Sequence, residues 1–399
     1  MTMTEYQTQV FKDLMALCKD NDVFYYVDQK VNDDRYRVFH YRLAKYSDWL
    51  HPHALECRGI VFRLDTKYEP QSLACWPFPK FFNLHENPFT MDVELQNPQA
   101  IMLKMDGSIM SSMIVGDIVW LKSNASLTSD HAYAANNILK KHDLLFEFTK
   151  TLTLDMHTVI FEFTSPHPDF RIVVGYDEPS LTILAVRNNY TGQIYTSDDV
   201  LKLAIEHDDD YEAIERYMVR DITHEVGDNI HEVNSFVESI PQMTDIEGYV
   251  IRLADGQLVK IKTEWYMKLH HIQDSINSKR RLYEAVVYDT IDDIRSRFFD
   301  NKGAMKIIDE MQEKVSEIYN HMVVSVETYH KENKHLSQKE YAIKGKSELD
   351  PIHFGLAMQM YHGRKVDFKA AMIKHRKNFG IFDDPLEIKR IPSEANIGE

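Results

Sequence analysis

The segment Ile101-Met102-Leu103-Lys104-Met105-Asp106-Gly107-Ser108-Ile109-Met110 decides how the rest of the chain is interpreted. An apolar run leads into Lys104, Asp106-Gly107 predicts a sharp turn, and a second strand-like run extends from Ile109 to Val115. Because glycine has no Cβ, the backbone of such a turn can approach a ligand closely. A lysine placed there can act as a nucleophile when its surroundings favour the neutral amine. Taken alone, the pattern also fits an ordinary hairpin with a solvated lysine.

The composition is that of a globular protein with two or three domains. The chain has 399 residues, of which 44% are hydrophobic and 27% are charged. Its net charge of −16 argues against a protein that coats nucleic acid through bulk charge. A local basic cleft, which a catalyst acting on polynucleotide ends would need, is still compatible with that charge.

The sequence shows no recognisable targeting segment or metal-site spacing, which narrows the class of protein further. No apolar run reaches membrane-spanning length, and Met1 to Val10 lacks the order of a signal peptide. Cys18, Cys57 and Cys75 show no disulfide or metal-site spacing, which predicts a reducing, intracellular compartment. The histidines form no His-Glu-x-x-His pattern and no glycine-rich phosphate loop is present, so neither a catalytic zinc nor a P-loop kinase is predicted.

Several charged residues lie beside predicted strands or loops. Arg58 and Gly59 precede a strand, and Lys80 lies within the aromatic loop Trp76 to Asn83. Glu162 lies in the apolar strand Val159 to Phe163, where an unpaired charge is costly, so we expect a polar partner, a metal or a ligand hydroxyl beside it. Each of these residues could instead be an ordinary surface residue.

A hairpin is predicted from Asp245 to Lys262, with its turn at Asp255-Gly256. The strand period of two places Lys260 and Lys262 on one face. That face is either the solvated side of the hairpin or part of the cleft that holds Lys104. In the second case the clustered cations would bind a polyphosphate and disfavour protonation of Lys104.

Four motifs occur in the order typical of covalent nucleotidyltransferases, the superfamily of ATP-dependent ligases and capping enzymes. They are Lys104-x-Asp106-Gly107-Ser108, Phe161-Glu162-Phe163, Glu247-Gly248-Tyr249 and Lys260-Ile261-Lys262. Further segments resemble the phage RNA ligase 1 family, whose type member is the tRNA-repair enzyme of T-even bacteriophages. These segments are Tyr46–Leu50, Leu55–Ile60, Lys80–Leu84, Glu86–Thr90 and Trp265-Tyr266.

The resemblance implies a three-step reaction. Lys104 becomes a lysyl-AMP, the AMP passes to an RNA 5′-phosphate, and a 3′-hydroxyl attacks the activated end. Glu162 matches an acid that contacts ribose and supports ligation, and Glu247 matches a catalytic carboxylate that serves metal-assisted adenylyl transfer. The implied cofactors are ATP and Mg²⁺, for which Mn²⁺ can substitute. The implied ATP-binding residues are Tyr41, Arg58, Lys80, Lys104, Glu162, Lys260 and Lys262, and the implied metal ligands are Glu247 and Asp292.

One position departs from the family pattern. The family carries two basic residues separated by one position after the nucleophile, whereas Lys122-Ser123-Asn124 keeps only the first. Either another residue supplies the second cation or one step is slower.

The C-terminal part distinguishes this chain from DNA ligases and capping enzymes, in which an OB-fold usually follows the lysine pair. Apolar residues recur every three or four positions from Ile307 to Val326, and Ser337-Gln338-Lys339-Glu340 predicts a capping box. The basic runs Lys279-Arg280-Arg281 and Lys374 to Lys377 are either RNA-backbone contacts or solvated faces.

The sequence as a whole predicts an α+β fold. A nucleotidyltransferase domain of the ATP-grasp-like ligase type, with antiparallel sheets and helices, is expected over residues 1–274. An all-helical C-terminal domain for RNA or tRNA recognition is expected over residues 275–399.

The predicted function is ATP-dependent RNA ligation in RNA or tRNA repair. The predicted substrates are single-stranded RNA or nicked tRNA ends, with a polynucleotide kinase/phosphatase acting on the same ends and no membrane partner. The predicted location is the cytoplasm, or the host cytoplasm for a phage-encoded protein. The alternatives are a DNA ligase or capping enzyme, and a catalytically silent RNA-binding relative.

Overall fold

A computed structural model describes residues 3–31, 33–167, 169–170, 172–207, 210–269 and 278–381. The chain divides into two compact units. The first comprises Met1–Tyr41 and Tyr46–His270, and the second comprises Arg42–Lys45 and His271–Glu399. The domain boundary predicted at 274/275 lies outside the described residues and stays a prediction. Residues 208 and 209 also lie outside the described residues, whereas Asp210 caps a short helix.

Three four-stranded sheets form the framework of the first unit. The first sheet is antiparallel throughout, in the order β1-β2-β3-β4. Its strands are β1 (Phe24–Val31), β2 (Asp34–Tyr41), β3 (Val61–Leu64) and β4 (Pro70–Cys75).

The other two sheets contain the central segment. The second sheet has strands β7 (Ser108–Val115), β8 (Ile118–Ser123), β9 (His157–Thr164) and β10 (Ser180–Asn188), in the antiparallel order β10-β9-β7-β8. The third sheet has strands β5 (Phe82–Asn83), β6 (Ala100–Lys104), β11 (Gly248–Arg252) and β12 (Leu258–Lys262), in the order β5-β12-β11-β6. β5 and β12 are parallel and the other pairs are antiparallel, so the predicted α+β class is confirmed.

The turn at Asp106-Gly107 does not form the ordinary hairpin that the local sequence allowed. β6 pairs with β11, whereas β7 pairs with β8 and β9, so the turn carries the chain from the third sheet to the second. Asp106 causes this by bonding to distant segments: its carboxylate accepts hydrogen bonds from the Val173 and Val174 amides, each at 2.7 Å. A Cβ at Gly107 would collide with the carbonyl of Phe163 in β9. The glycine is therefore needed where the turn passes under the second sheet.

Helices of the first unit follow the local sequence signals. Apolar residues recur at helical spacing from Tyr6 to Lys19, and this segment forms the first helix, which Thr4 opens with a capping box. The segment from Ser129 to Phe148 has a similar spacing but forms two helices, because residues 140–142 are not helical. The helices of this unit are α1 (Glu5–Asp20), α2 (Asp130–Leu139), α3 (Asp143–Leu154), α4 (Ser197–Glu206), α5 (Tyr211–Glu215), α6 (Thr223–Val226), α7 (Ile230–Ser239) and α8 (Glu264–Leu269). α2, α3 and α4 bury their apolar residues against the second sheet and form its core.

Between residues 278 and 381 the regular structure of the second unit is helical. Its helices are α9 (Lys279–Val287), α10 (Ile291–Arg297), α11 (Lys302–Asn333), α12 (Gln338–Glu348), α13 (Pro351–Tyr361) and α14 (Phe368–His375). The capping box predicted at Ser337 and Glu340 is confirmed at the start of α12. In the first basic run, Arg280 pairs with Glu284 one turn along α9. Within the described residues no helix is both long and apolar enough to cross a bilayer.

Residues Arg42–Lys45 belong to the helical unit through contacts with α11. Ser316 and Gln312 of this helix donate to the carbonyls of Leu43 and Ala44, at 3.2 and 3.4 Å. Arg42 pairs with Glu327 at 3.1 Å. The helical unit thus includes four residues that precede most of the first unit in sequence.

Replacing Leu43 with alanine tests this assignment. Leu43 is 3% exposed, and removal of a buried leucine side chain should lower the free energy of unfolding by about 2–4 kcal/mol. Leu50 is 58% exposed and provides the matched control, since Leu50→Ala should cost less than about 0.5 kcal/mol. Urea unfolding of both full-length variants measures the difference, and equal losses would contradict the burial of Leu43.

Candidate active site

A single carboxylate joins the two lysines that the sequence singled out on different strands. Gly248 lies opposite Lys104 on one side and opposite Lys262 on the other, because β11 lies between β6 and β12. The preceding Glu247 reaches both ammonium groups: Oε2 is 2.8 Å from Nζ of Lys104, and Oε1 is 3.1 Å from Nζ of Lys262. Burial alone would raise the pKa of Glu247, but the two lysines hold that pKa below its usual value.

Gly248 allows β11 to lie in this position. Its φ is +151°, a conformation that side chains disfavour, and a Cβ there would collide with the Ile261 carbonyl of β12. Gly248 therefore permits the close approach of the strands, and this approach brings Glu247 within reach of both lysines.

Glu162 lies beside this group on the second sheet. It is buried on β9, opposite Ile109 of β7. Burial raises the pKa of Glu162 to about 8, with Glu247 raising it further and with Lys104, Arg58 and the Gly107 amide opposing the rise. The structure thus holds Glu162 as a carboxylic acid at neutral pH, next to the ionised Glu247.

Two tyrosines fix the turn after Lys104. The hydroxyl of Tyr266, at the start of α8, donates to the Asp106 carboxylate at 2.8 Å. The Asp106 amide donates to the hydroxyl of Tyr176 at 2.9 Å, and burial raises the pKa of Tyr176 to about 12. Nζ of Lys262 is 5.1 Å from the Tyr266 ring centroid. The sequence placed Asp106 in the predicted turn and Tyr266 in a family motif, but it predicted none of these contacts and did not single out Tyr176.

Arg58 and Lys80 lie on two loops that run side by side. The Lys80 amide donates to the Leu55 carbonyl at 2.7 Å. Nζ of Lys80 is 5.8 Å from the ring centroid of Tyr41, and the Arg58 guanidinium is 5.7 Å from that of Phe81. Both distances are within the range of a cation–π contact.

The segment Lys122-Ser123-Asn124, which departs from the family pattern, packs against Gly59, the residue that follows Arg58. Lys122 is fully buried and its Nζ donates to the carbonyls of Ser123 and Asn124. Burial lowers the pKa of Lys122 to about 8. A Cβ on Gly59 would lie 2.6 Å from Oδ1 of Asn124, so the asparagine side chain contacts this glycine backbone.

The remaining predicted residues occupy two different units. Lys260 shares the β12 face with Lys262. Asp292 lies in the first turn of α10, in the helical unit, and its metal role stays a prediction. Across the described part of the chain no group of three or more His, Cys, Asp or Glu residues is arranged to hold a metal ion.

A narrow apolar cavity of about 60 Å³ opens beside Lys104 and Glu162. Its other walls are apolar side chains from the second and third sheets and from neighbouring loops, including the aromatic loop that contains Lys80. They are Phe78, Phe81, Met102, Leu103, Met105, Ile109, Leu184, Val219, Val250 and Leu258. A flat apolar group bound there would have a nucleophile and a carboxyl group at its edge.

Two family models match the chain. The model described as RNA ligase matches residues 56–269, and the model described as T4 RNA ligase 1, C-terminal domain matches residues 273–379.

Similar proteins include one named "Putative RNA ligase" from Thermovibrio ammonificans, which is 26% identical over 247 residues and 60% of each chain. Another is a "Putative bifunctional polynucleotide kinase/RNA ligase" from Autographa californica nuclear polyhedrosis virus, 25% identical over 280 residues. That match covers 64% of this chain and 36% of the viral protein. The chain therefore spans less than two thirds of the length of either relative.

Solved structures show a weaker likeness. An archaeal ATP-dependent RNA ligase has a TM-score of 0.49 and 11% identity, covering 91% of this chain and 94% of the archaeal one. A Naegleria gruberi RNA ligase with PPi has a TM-score of 0.36 and 16% identity, covering 52% and 63%.

Replacing Gly248 with alanine should destabilise the protein more than the same change at Gly116. Both glycines have positive φ, so alanine strains the backbone at both, by about 1–2 kcal/mol at Gly116 and up to about 3 kcal/mol at Gly248, whose φ is disfavoured more strongly. Only at Gly248 would the new Cβ meet a strand backbone, because Gly116 has open space around it. Urea unfolding of the two variants measures the difference, and similar losses would show that strand contact does not constrain Gly248.

Replacing Glu162 with glutamine should stabilise the protein increasingly as the pH rises. The pKa of Glu162 is about 8 in the folded state and close to 4.5 in the unfolded chain, so the folded state binds the additional proton. The wild-type free energy of unfolding therefore falls between these pH values, by at most roughly 1.4 kcal/mol per pH unit from this group. Glutamine does not titrate, so the advantage of Glu162→Gln should increase from pH 5 to pH 8. Urea unfolding at intermediate pH values tests this, and a constant difference would mean that the pKa is not raised.

Proposed function

Because the chain belongs to the RNA ligase family, we propose that it uses ATP to join an RNA 5′-phosphate to an RNA 3′-hydroxyl through an adenylate on Lys104. The family match confirms the resemblance that the sequence motifs indicated. The observation that carries the proposed chemistry is the carboxylate of Glu247 held between the amino groups of Lys104 and Lys262.

The first step joins Lys104 to AMP. Nζ of Lys104 attacks the α-phosphorus of ATP, a P–N bond forms, and the P–O bond to pyrophosphate breaks. The amine must lose a proton to attack. Oε2 of Glu247, at 2.8 Å, holds the amine in place, and the proton passes to solvent. Lys260 and Lys262, on one strand face, would neutralise the phosphate charge that develops.

The nucleotide would be held from three sides. The purine would bind in the apolar cavity beside Lys104. Glu162, at the edge of this cavity, can donate a hydrogen bond to ribose because a pKa of about 8 keeps its carboxyl group protonated. Arg58, Lys80 and Tyr41 would contact the phosphates from the adjacent loops. Each of these contacts acts on the charge or position of the nucleotide, which is what phosphoryl transfer requires.

The later steps transfer the AMP and release it. An oxygen of the RNA 5′-phosphate attacks the adenylate, the P–N bond breaks, and Lys104 is regenerated. The 3′-hydroxyl then attacks the activated 5′-phosphate, and AMP leaves as the phosphodiester forms. We propose that Glu162 supports these sealing steps, since it lies next to Lys104 in the same buried group.

Divalent metal ions fit the carboxylates present. Glu247 is held ionised in a buried site, and carboxylate oxygens are the ligands that Mg²⁺ and Mn²⁺ prefer. We propose Glu247 as a ligand in the first unit and, separately, Asp292 as a ligand in the helical unit. When bound, the metal would supply charge neutralisation at the phosphates.

We propose that the natural substrate is a broken RNA, such as a nicked tRNA, and that the protein works in the cytoplasm, or in the host cytoplasm if a phage encodes it. A ligase of this type needs a 5′-phosphate and a 3′-hydroxyl, which a polynucleotide kinase/phosphatase would prepare. The viral relative, whose name combines a kinase with an RNA ligase, supports this pairing.

Incubation with α-labelled ATP and Mg²⁺, followed by a denaturing gel, tests the function. The wild-type protein should acquire an acid-labile, alkali-stable AMP label, and Lys104→Ala should acquire none because the attacking amine is gone. Lys150→Ala, which removes an exposed surface lysine, is the control and should label like the wild type. A label on the Lys104→Ala variant would mean that another residue is the nucleophile, and a label from GTP would favour a capping enzyme.

A further inference from the structure

Arg187 lies outside the proposed nucleotide site but is bonded to the loops that carry two of its cations. It lies on β10 with 5% of its side chain exposed. Nη1 and Nη2 donate to the two carboxylate oxygens of Glu56, at 2.8 and 2.7 Å. Nη1 also donates to the Pro77 carbonyl at 2.6 Å, and Nε donates to the Gly192 carbonyl at 2.9 Å. The guanidinium lies 4.3 Å from the centroid of the Trp76 ring.

Glu56 and Trp76 close this network. Nε1 of Trp76 donates to Oε2 of Glu56 at 2.8 Å, and the Trp76 amide donates to Thr158 of β9 at 2.8 Å. The ring of Trp76 is therefore fixed between the guanidinium, the carboxylate and the second sheet. We call Arg187, Glu56, Trp76 and Pro77 the guanidinium frame.

Two short connections lead from the guanidinium frame to the candidate phosphate cations. Arg58 follows Glu56 by two residues, and its amide donates to the Glu56 carbonyl at 2.6 Å. Lys80 follows Pro77 by three residues, and its amide donates to the Leu55 carbonyl at 2.7 Å. Both cations thus extend from backbone that one buried guanidinium holds.

We propose that Arg187 is a positioning residue that sets the places of Arg58 and Lys80 against the phosphates of ATP. This inference rests on the proposed function and deepens it. In the described part of the chain the hydrogen bonds of Arg187 go to Glu56, Pro77 and Gly192, so it acts through them and not on the nucleotide.

The guanidinium frame depends on the planar shape of the arginine side chain and on its several N–H donors. One guanidinium binds a carboxylate with two nitrogens, a backbone carbonyl on each of two loops, and an indole face. A lysine keeps the charge but has a single compact ammonium that cannot reach these partners together. Arg187→Lys therefore tests geometry while keeping the charge.

The experiment measures how lysyl-AMP formation depends on ATP concentration. With Arg187→Lys, the ATP concentration for half-maximal rate should rise on the order of tenfold, because misplaced cations bind the triphosphate less well. The maximal rate at saturating ATP should change less, since Lys104 and Glu247 lie on other strands. Sealing of RNA supplied with a preformed 5′-adenylate, which needs no triphosphate, should stay near the wild-type rate.

Arg37→Lys is the matched control. Arg37 is similarly buried, with 7% of its side chain exposed, and binds Asp28 with two nitrogens at 2.7 Å each. Its guanidinium lies 4.0 Å from the Tyr26 ring centroid, so the same type of fork and aromatic contact is lost. These partners belong to β1, away from the loops of Arg58 and Lys80. We expect a comparable loss of thermal stability with an unchanged dependence on ATP.

Glu56→Gln provides a second variant if Arg187→Lys does not fold. It keeps the shape of the side chain but removes the charge that holds the fork, and the same rise in the ATP requirement is expected. The inference would be overturned if the Arg187 and Glu56 variants required the same ATP concentration for half-maximal rate as Arg37→Lys. An equal loss with ATP and with preformed adenylate would also overturn it. A wild-type protein that acquires no label from ATP would overturn the proposed function and this inference with it.

Discussion

The ion pairs of Glu247 with Lys104 and Lys262 are the interaction on which the site depends. A buried carboxylate between two amines requires that β6, β11 and β12 lie in the observed order, with glycine opposite both lysines. The arrangement is costly to break, because removing the carboxylate would leave two ammonium groups close together without the charge that lies between them. The same contact holds Nζ of Lys104 in one place, which an attacking amine needs.

The charge of the site follows from this arrangement. The chain carries a net charge of −16, yet the groups around Lys104 have a net positive charge. Glu247 neutralises one cation, and Glu162 contributes no negative charge at neutral pH because burial raises its pKa to about 8. Lys104, Lys262 and Arg58 therefore outnumber the carboxylates of Glu247 and Asp106. An acidic protein can thus present a local cationic site, which answers the question that the overall composition left open.

Aromatic rings lie beside the outer cations. Nζ of Lys80 is 5.8 Å from the Tyr41 ring centroid, and the Arg58 guanidinium is 5.7 Å from that of Phe81. The family's second basic residue is Asn124 here, and this asparagine contacts Gly59 next to Arg58. The position has thus changed from a cation to a packing contact beside another cation.

The amino-acid sequence by itself determined the strands, the helices, the hairpin of β11 and β12 and the family, because these depend on periodicity, capping residues and short motifs. It also identified Lys104, Glu162, Glu247, Lys260 and Lys262, which lie within those motifs. Only the tertiary structure decided which residues meet. The Asp106-Gly107 turn connects two sheets because Asp106 bonds to residues 67 to 160 positions away. Glu56 and Arg187 are 131 residues apart, and Arg42–Lys45 packs on a helix that begins at residue 302. Such partners, and the pKa of Glu162 that burial raises, depend on the packing of distant segments and leave no local pattern from which to predict them.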